Sequence, residues 1–187
     1  MKINLSPEAL KRLQELLGST KYEFLGFTVN LKSGDITDNL AQPGAKLNDW
    51  TIEVLSTLLT HYSSATLTPP SGKLVKYKDL PGGCAYEGAF IKTAIQPIAD
   101  VFGENPQELL EAAAKFGGKP LSYGDASAEI DVLKGIPLVF IVWEKEEYPA
   151  AASILYDQTA SKYLPTEDLA VLGEISSSRL IQAKNKY

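Results

Sequence analysis

The run IPLVFIVW, residues 136–143, constrains the fold of this chain more than any other segment. Its apolar residues occupy both alternating positions, which is typical of a central β-strand buried on both faces. The segment AASILYD, residues 151–157, returns after a charged turn and can pair with that strand as a hairpin. We therefore expect a sheet whose middle strand is covered on both sides by other elements.

Helices are predicted at both ends of the chain. Within residues 1–18, Ser6 followed by proline and glutamate is a typical helix start, and leucines recur at helical spacing. Over residues 166–184, Thr166 is the predicted cap, and two acids fall in the first turn, where the helix dipole favours them.

Residues 47–65 form the clearest amphipathic helix, since apolar side chains recur along one stripe. Residues 21–31, KYEFLGFTVNL, read as one strand, and KSGDIT, residues 32–37, predicts a hairpin turn with a second short strand after it. The expected pairings are hairpins, so we predict an α+β fold. It has an antiparallel or mixed sheet with a doubly buried central strand, packed with four to five helices, in a single domain over residues 1–187.

The overall charge argues against two classes of partner. The chain has 187 residues, a net charge of -5 and a pI near 5.0. Nucleic-acid binding needs a basic surface, and an acidic protein is repelled by anionic membranes. No apolar run approaches the roughly 18 residues of a spanning helix, and the amino terminus lacks a signal-peptide core. We expect a cytoplasmic protein that binds neither nucleic acid nor membrane.

Cys84 and His61 are the only cysteine and the only histidine in the chain. One of each cannot form a four-cysteine iron–sulfur cluster or a structural zinc site within this chain. Any Ser-His-Asp or Cys-His catalytic arrangement would have to use His61 as its base.

Four motifs resemble an uncharacterised family of anaerobic bacteria and archaea, catalogued as a domain of unknown function. They are LTHYSSA (59–65), YKDLPGGCAYEGAF (77–90), VWEKEEYPAAASILYD (142–157) and YLPTEDL (163–169). Some relatives in that family are joined to iron–sulfur segments or annotated beside corrinoid iron–sulfur proteins. The resemblance implies a setting in anaerobic redox or one-carbon metabolism, with an iron–sulfur or corrinoid protein as partner. Because this chain lacks cluster cysteines, any cluster would belong to that partner.

His61 is the first candidate for a ligand-binding residue. A neutral imidazole can bind cobalt or haem iron axially, and Trp50 and Tyr62 could line a flat pocket beside it. Corrinoid, haem and flavin are the cofactors to consider. The alternative is a partly buried structural histidine that is hydrogen-bonded to a backbone carbonyl.

The segment from Asp79 to Cys84 is the second candidate. Gly82 and Gly83 precede a predicted helix, where backbone N–H groups can approach a phosphate or carboxylate. The segment matches neither the Walker loop nor the dinucleotide-binding fingerprint, and paired glycines also serve in ordinary tight turns. Cys84 is either a thiol activated at a helix start or an inert one.

Acids cluster around the hairpin between the two apolar strands. Glu144, Glu146, Glu147 and Asp157 could support acid–base chemistry or hold Mg²⁺ or Ca²⁺, although their spacing matches no calcium loop. The alternative is a solvated turn. Asp157 lies at the far end of the returning strand, where it can cap the next segment by accepting from backbone N–H groups.

Two functions fit these residues. The first is a non-catalytic accessory or cofactor-binding protein, which predicts an exposed docking patch around Trp50, Tyr77 or Tyr86. The second is a small-molecule transferase or hydrolase, with the Pro81–Gly83 turn as an anion site and Asp79 or Asp157 for proton transfer. The second function requires those residues to converge on a pocket holding a carboxylate of raised pKa.

Overall fold

The computed structural model describes residues 1–42 and 44–185. Its strands are β1 (Lys21–Phe24), β2 (Phe27–Asn30), β3 (Ile36–Asp38), β4 (Leu74–Lys76), β5 (Lys119–Leu121), β6 (Ala126–Leu133), β7 (Ile136–Trp143) and β8 (Ala151–Asp157). Its helices are α1 (Pro7–Leu17), α2 (Asp49–Tyr62), α3 (Glu87–Phe90), α4 (Gln96–Phe102), α5 (Gln107–Ala114) and α6 (Thr166–Lys184). A π-helical turn, Ile91–Ile95, joins α3 to α4, and short 3-10 helices cover Tyr77–Asp79, Gly83–Tyr86 and Gln158–Lys162.

The strands form two antiparallel sheets, which confirms the predicted α+β class. The larger sheet has the order β4-β8-β7-β6-β5, and the smaller one has the order β1-β2-β3. Residues 21–31, predicted as one strand, are instead a hairpin of two. Leu25 and Gly26 turn the chain with positive φ angles of 47° and 76°, a conformation that closes a tight two-residue hairpin.

β7 is the doubly buried central strand that the sequence predicted. It is the third of five strands in its sheet, and every residue from Ile136 to Val142 is buried. Buried residues of both sheets and of the long helices belong to one hydrophobic cluster. The apolar residues at both alternating positions of β7 thus face a packed layer on each side.

The helices at the two ends match the prediction to different degrees. α6 has the predicted bounds, Thr166 to Lys184, although Thr166 is its first residue rather than its cap. The amino-terminal helix, predicted within residues 1–18, covers only Pro7–Leu17, because the preceding segment pairs through Lys2 with Asp35. If α3, the π-helical turn and α4 are taken as one continuous helix, the described residues contain five, within the predicted range.

A tyrosine pair fixes the carboxyl end of α2 against the turn between β6 and β7. The Tyr62 hydroxyl donates to the carbonyl of Lys134 at 2.7 Å, and the Lys134 N–H donates to the Tyr22 hydroxyl at 2.9 Å. Burial raises the pKa of both phenols, so both stay neutral. The last turn of α2 is therefore held in place, and residues on its outer face have a defined position.

None of the helices in the described residues combines the length and apolarity needed to cross a bilayer.

Candidate functional site

His61 and Asp168 form a hydrogen-bonded pair where α2 ends and α6 begins, with the His61 ring exposed and Asp168 partly buried. His61 Nδ1 lies 2.5 Å from Asp168 Oδ2, and the two side chains are 47% and 13% exposed. An ionised carboxylate only accepts hydrogen bonds, so Nδ1 carries the hydrogen when the imidazole is neutral. The lone pair then sits on Nε2, and Asp168 fixes the ring orientation as carboxylates do for metal-binding histidines.

The structural alternative for His61 does not match this geometry. That alternative was a partly buried ring bonded to a backbone carbonyl, whereas the observed partner is a side-chain carboxylate and about half of the ring is exposed. The next residue along the helix, Tyr62, is fully buried. Because successive helical residues point about 100° apart, one of the two faces the core and the other faces solvent.

A shallow groove follows the seam between α2 and α6. A cavity of about 240 Å³ is lined by Trp50, Val54, Leu58, Asp168 and Val171, with Glu53 and Thr57 at its edge. Trp50 is 54% exposed, and His61 follows Thr57 by one helical turn on the same face. We call this surface the α2–α6 groove. Trp50 lines this groove, whereas Tyr62, the other residue predicted beside His61, points away into the core.

A second cavity, of about 320 Å³, lies on the other side of Trp50. Its inner wall holds Arg179, whose guanidinium donates to both carboxylate oxygens of Asp38, at 2.9 and 2.6 Å, and stacks on Phe27. Burial alone would raise the pKa of Asp38, but the hydrogen bonds and charge of Arg179 lower it overall. This ion pair joins α6 to the smaller sheet and so supports the wall behind Trp50.

The turn predicted as an anion site lies against the first turn of α6. The Thr166 hydroxyl donates to the Pro81 carbonyl at 2.7 Å, which brings the turn to the same helix end as Asp168. Gly82 has a φ of 78°, and a Cβ on Gly83 would lie 2.1 Å from the Tyr77 carbonyl oxygen. Both glycines are therefore required by the tight turn itself.

Cys84 and Asp79 flank those glycines and are exposed. Cys84 lies in a 3-10 helix of four residues. Asp79 accepts from the backbone N–H of Lys76 at 3.3 Å and so closes the preceding 3-10 turn. Cys84 thus belongs to a short 3-10 helix, and Asp79 accepts a hydrogen bond within a turn.

Asp157 is an anchor for two loops. Its carboxylate accepts from the backbone N–H groups of Ser71, Gly72 and Thr159, at 3.0, 2.7 and 2.9 Å, and from the hydroxyls of Ser71 and Thr159. Burial alone would raise its pKa, but the hydrogen bonds from Thr159 and Ser71 lower the pKa to about 2. Asp157 caps the 3-10 helix after β8, as the sequence predicted, and its low pKa makes it a poor proton-transfer group.

The acidic turn between β7 and β8 is solvated, with local pairs. Lys145 bonds Glu104 at 3.0 Å, and the Glu144 N–H donates to Asp125 at 2.7 Å. Within the described residues, no group of three or more His, Cys, Asp or Glu side chains is arranged to hold a metal ion. The geometry favours the interpretation of this segment as a solvated hairpin turn.

The three residues predicted to form a docking patch differ in exposure. Trp50 and Tyr86 are exposed, whereas Tyr77 is buried against Phe90 with its hydroxyl near the start of α6. Asp168 was recognised from the sequence only as an acid in the first turn of a helix. It lies 107 residues from His61, so a single sequence carries no local signal that the two side chains meet.

Residues 18–179 match the model of a family described as a domain of unknown function, DUF3786. The match covers most of the chain, so this chain belongs to that family, and every candidate residue above lies within the matched range. No curated protein and no solved structure matches the chain.

Proposed function

We propose that this member of a family of unknown function is a non-catalytic cofactor-binding protein of the cytoplasm, in which His61 supplies an axial imidazole ligand. The observation that carries the proposal is the His61–Asp168 pair. The ring is about half exposed and uses Nδ1 for Asp168, so Nε2 is the nitrogen left for a ligand, and Asp168 also lines a groove walled by Trp50. A single imidazole suffices for a cofactor that brings its own metal and macrocycle, such as a corrinoid or haem.

The chain's own residues have separable tasks in this proposal. Asp168 accepts from Nδ1, which holds the ring orientation and raises the basicity of Nε2. Trp50 offers a flat aromatic face, and Val54, Leu58 and Val171 exclude water from the floor of the groove. A flavin would use the aromatic face without the imidazole. The cofactor, when bound, supplies the redox or one-carbon chemistry.

The size of the groove favours an accessory role. A cavity of about 240 Å³ lies below the usual range of about 300–1,000 Å³ for sites that enclose a small ligand. Such a groove covers only part of a macrocycle and leaves the rest for a second protein. We propose that this partner is an iron–sulfur or corrinoid protein of anaerobic metabolism, in line with the resemblance of the four sequence motifs.

An anaerobic absorbance titration with hydroxocobalamin, haemin and flavin mononucleotide tests the proposal. We expect a saturable spectral change with haemin or hydroxocobalamin that is lost in His61→Ala. The affinity for that cofactor should fall by about 10- to 100-fold in Asp168→Asn, because the orienting carboxylate is removed. Thr60→Ala is the matched control, since Thr60 precedes His61, is exposed, and bonds only within its helix. A response that survives His61→Ala, or no response with any of the three, contradicts the proposal.

A further inference from the structure

A second groove runs along β8, near the edge of the larger sheet that is opposite β5. A cavity of about 480 Å³ at the acidic turn and one of about 280 Å³ beside β8 share Gln96, Ala99 and Ala150 in their walls. The two cavities are therefore neighbours along the gap between the first half of β8 and the helical segment 87–102. We call it the edge groove.

One wall of the edge groove is a length of strand that β4 does not reach. β4 has three residues, and its register with β8 stops at the pair Lys76–Leu155. β8 begins at Ala151, so Ala151–Ile154 extend past the end of β4 on the side away from β7. A strand edge of this kind is a template for pairing with another extended chain.

The direction of the backbone groups follows from one hydrogen bond. The Gln158 N–H donates to the Lys73 carbonyl at 2.9 Å, so position 158 faces the β4 side. Backbone groups alternate sides along a strand, so positions 156, 154 and 152 face that side as well. The N–H and C=O of Ala152 therefore point into the edge groove rather than toward β7.

The helical wall carries apolar side chains beside polar ones such as Glu87 and Gln96, and the two ends of the groove carry opposite charge. Ile95 and the 41% exposed Ile91 line the helical side. Glu146 and Glu147 lie at the end where β8 begins, and Lys76 lies at the end where β4 stops. Lys78, next to Lys76, is paired with Glu87 at 3.6 Å.

We infer that the edge groove binds an extended peptide segment of a partner protein as an added antiparallel strand beside β8. Antiparallel pairing continues the pattern of the whole sheet. An added strand then starts beside Lys76 and ends beside Glu146 and Glu147, because β8 runs the other way. Charge complementarity selects a segment with acidic residues before its apolar core and basic residues after it. Four paired residues span about 14 Å.

This inference is independent of the His61 proposal, since the edge groove and the α2–α6 groove share no lining residue. Main-chain hydrogen bonds supply affinity in strand addition, and alternate side chains supply specificity. In the edge groove, the backbone hydrogen bonds of Ala152 would hold the peptide, and the charges at the two ends would set its direction.

Fluorescence anisotropy with two labelled peptides, EEVTVTKK and KKVTVTEE, tests the inference on the full chain. The peptides have equal composition and opposite charge order. We expect EEVTVTKK to bind at least 10-fold more tightly. Ala152→Pro removes the N–H that faces the groove and should abolish binding, whereas Ala152→Ser keeps it and should bind normally.

The double variant Glu146→Lys, Glu147→Lys gives a test that leaves the strand backbone unchanged. Reversing the charge at that end should reduce or invert the preference for EEVTVTKK. Circular dichroism establishes that each variant is folded. Failure of both peptides to bind, equal binding of both, or the same preference in the double variant overturns the inference.

Discussion

Two aspartates illustrate how differently this fold uses a carboxylate. Asp157 is 1% exposed and accepts hydrogen bonds from Ser71, Gly72 and Thr159, including three backbone N–H groups. Asp168 has one side-chain partner, the exposed imidazole of His61. The first carboxylate is saturated by buried and partly buried donors of two loops, whereas the second orients a ring that is about half exposed.

The role of a carboxylate in this fold can therefore be judged from how many hydrogen-bond donors it has and how deeply they are buried. A saturated buried carboxylate stabilises the fold, because its donors would lose their partner if it were removed. A carboxylate with one exposed partner contributes little to stability, since water replaces the contact easily. Asp157 should therefore affect stability, and the His61–Asp168 pair should affect ligand binding.

Replacing Asp157 should produce the largest effect. We expect Asp157→Ala to lower the free energy of unfolding by about 3 kcal/mol, because the buried Thr159 donors lose a charged acceptor. Urea denaturation measures it. Asp79→Ala is the matched control, because Asp79 is exposed and accepts one long bond, and it should cost less than about 1 kcal/mol. Similar losses for the two variants would remove the distinction drawn for Asp157.

The contribution of Asp157 should also depend on pH. Its pKa is lowered from 3.8 to about 2 in the folded chain, so the stabilisation is complete above about pH 5 and most of it is lost as the pH falls to about 2. The part of this shift that is expressed by pH 2 corresponds to roughly 2 kcal/mol. The difference in unfolding free energy between the wild type and Asp157→Asn should shrink by that amount between about pH 6 and about pH 2. A difference that stays constant would place the stabilisation elsewhere.

The smallest effect on stability is expected at His61. His61→Ala should change the free energy of unfolding by about 0.5 kcal/mol or less, because the ring is about half exposed and water can replace its contact with Asp168. Its neighbour provides the comparison: Tyr62→Phe removes a hydroxyl bonded to the Lys134 carbonyl and should cost about 1 kcal/mol or more. Thermal or urea unfolding of both variants shows which one loses more stability. A larger loss in His61→Ala would make His61 a structural residue.

Much of the fold could be predicted because the signals are local. Apolar residues at both alternating positions identify β7 as a buried strand, and the acids after Thr166 mark the start of α6. The hairpin at Leu25 and Gly26 was read as one strand because aromatic and β-branched residues continue on both sides. The glycine inside that run was the available signal for a turn.

The candidate site could be predicted only in part. His61 and Trp50 stand out as rare residues on one helix; Trp50 lines the α2–α6 groove, and His61 contacts it through Asp168. The helical spacing predicts Tyr62 on the same stripe as Trp50, but in the structure Tyr62 is buried and Trp50 is exposed. The pairing with Asp168 joins elements far apart in sequence, and the edge groove depends on where β4 stops, which is set by tertiary packing.

The tautomer of His61 tests the central claim most directly, and the chain has no other histidine to obscure it. Long-range ¹H–¹⁵N correlation spectra would be recorded at about pH 8.5, where an ordinary imidazole is neutral. The account predicts a proton on Nδ1, donated to Asp168, and a bare Nε2, with this preference lost in Asp168→Ala. A proton on Nε2 in the wild type would contradict it, because the ring would then have no outward lone pair for a ligand.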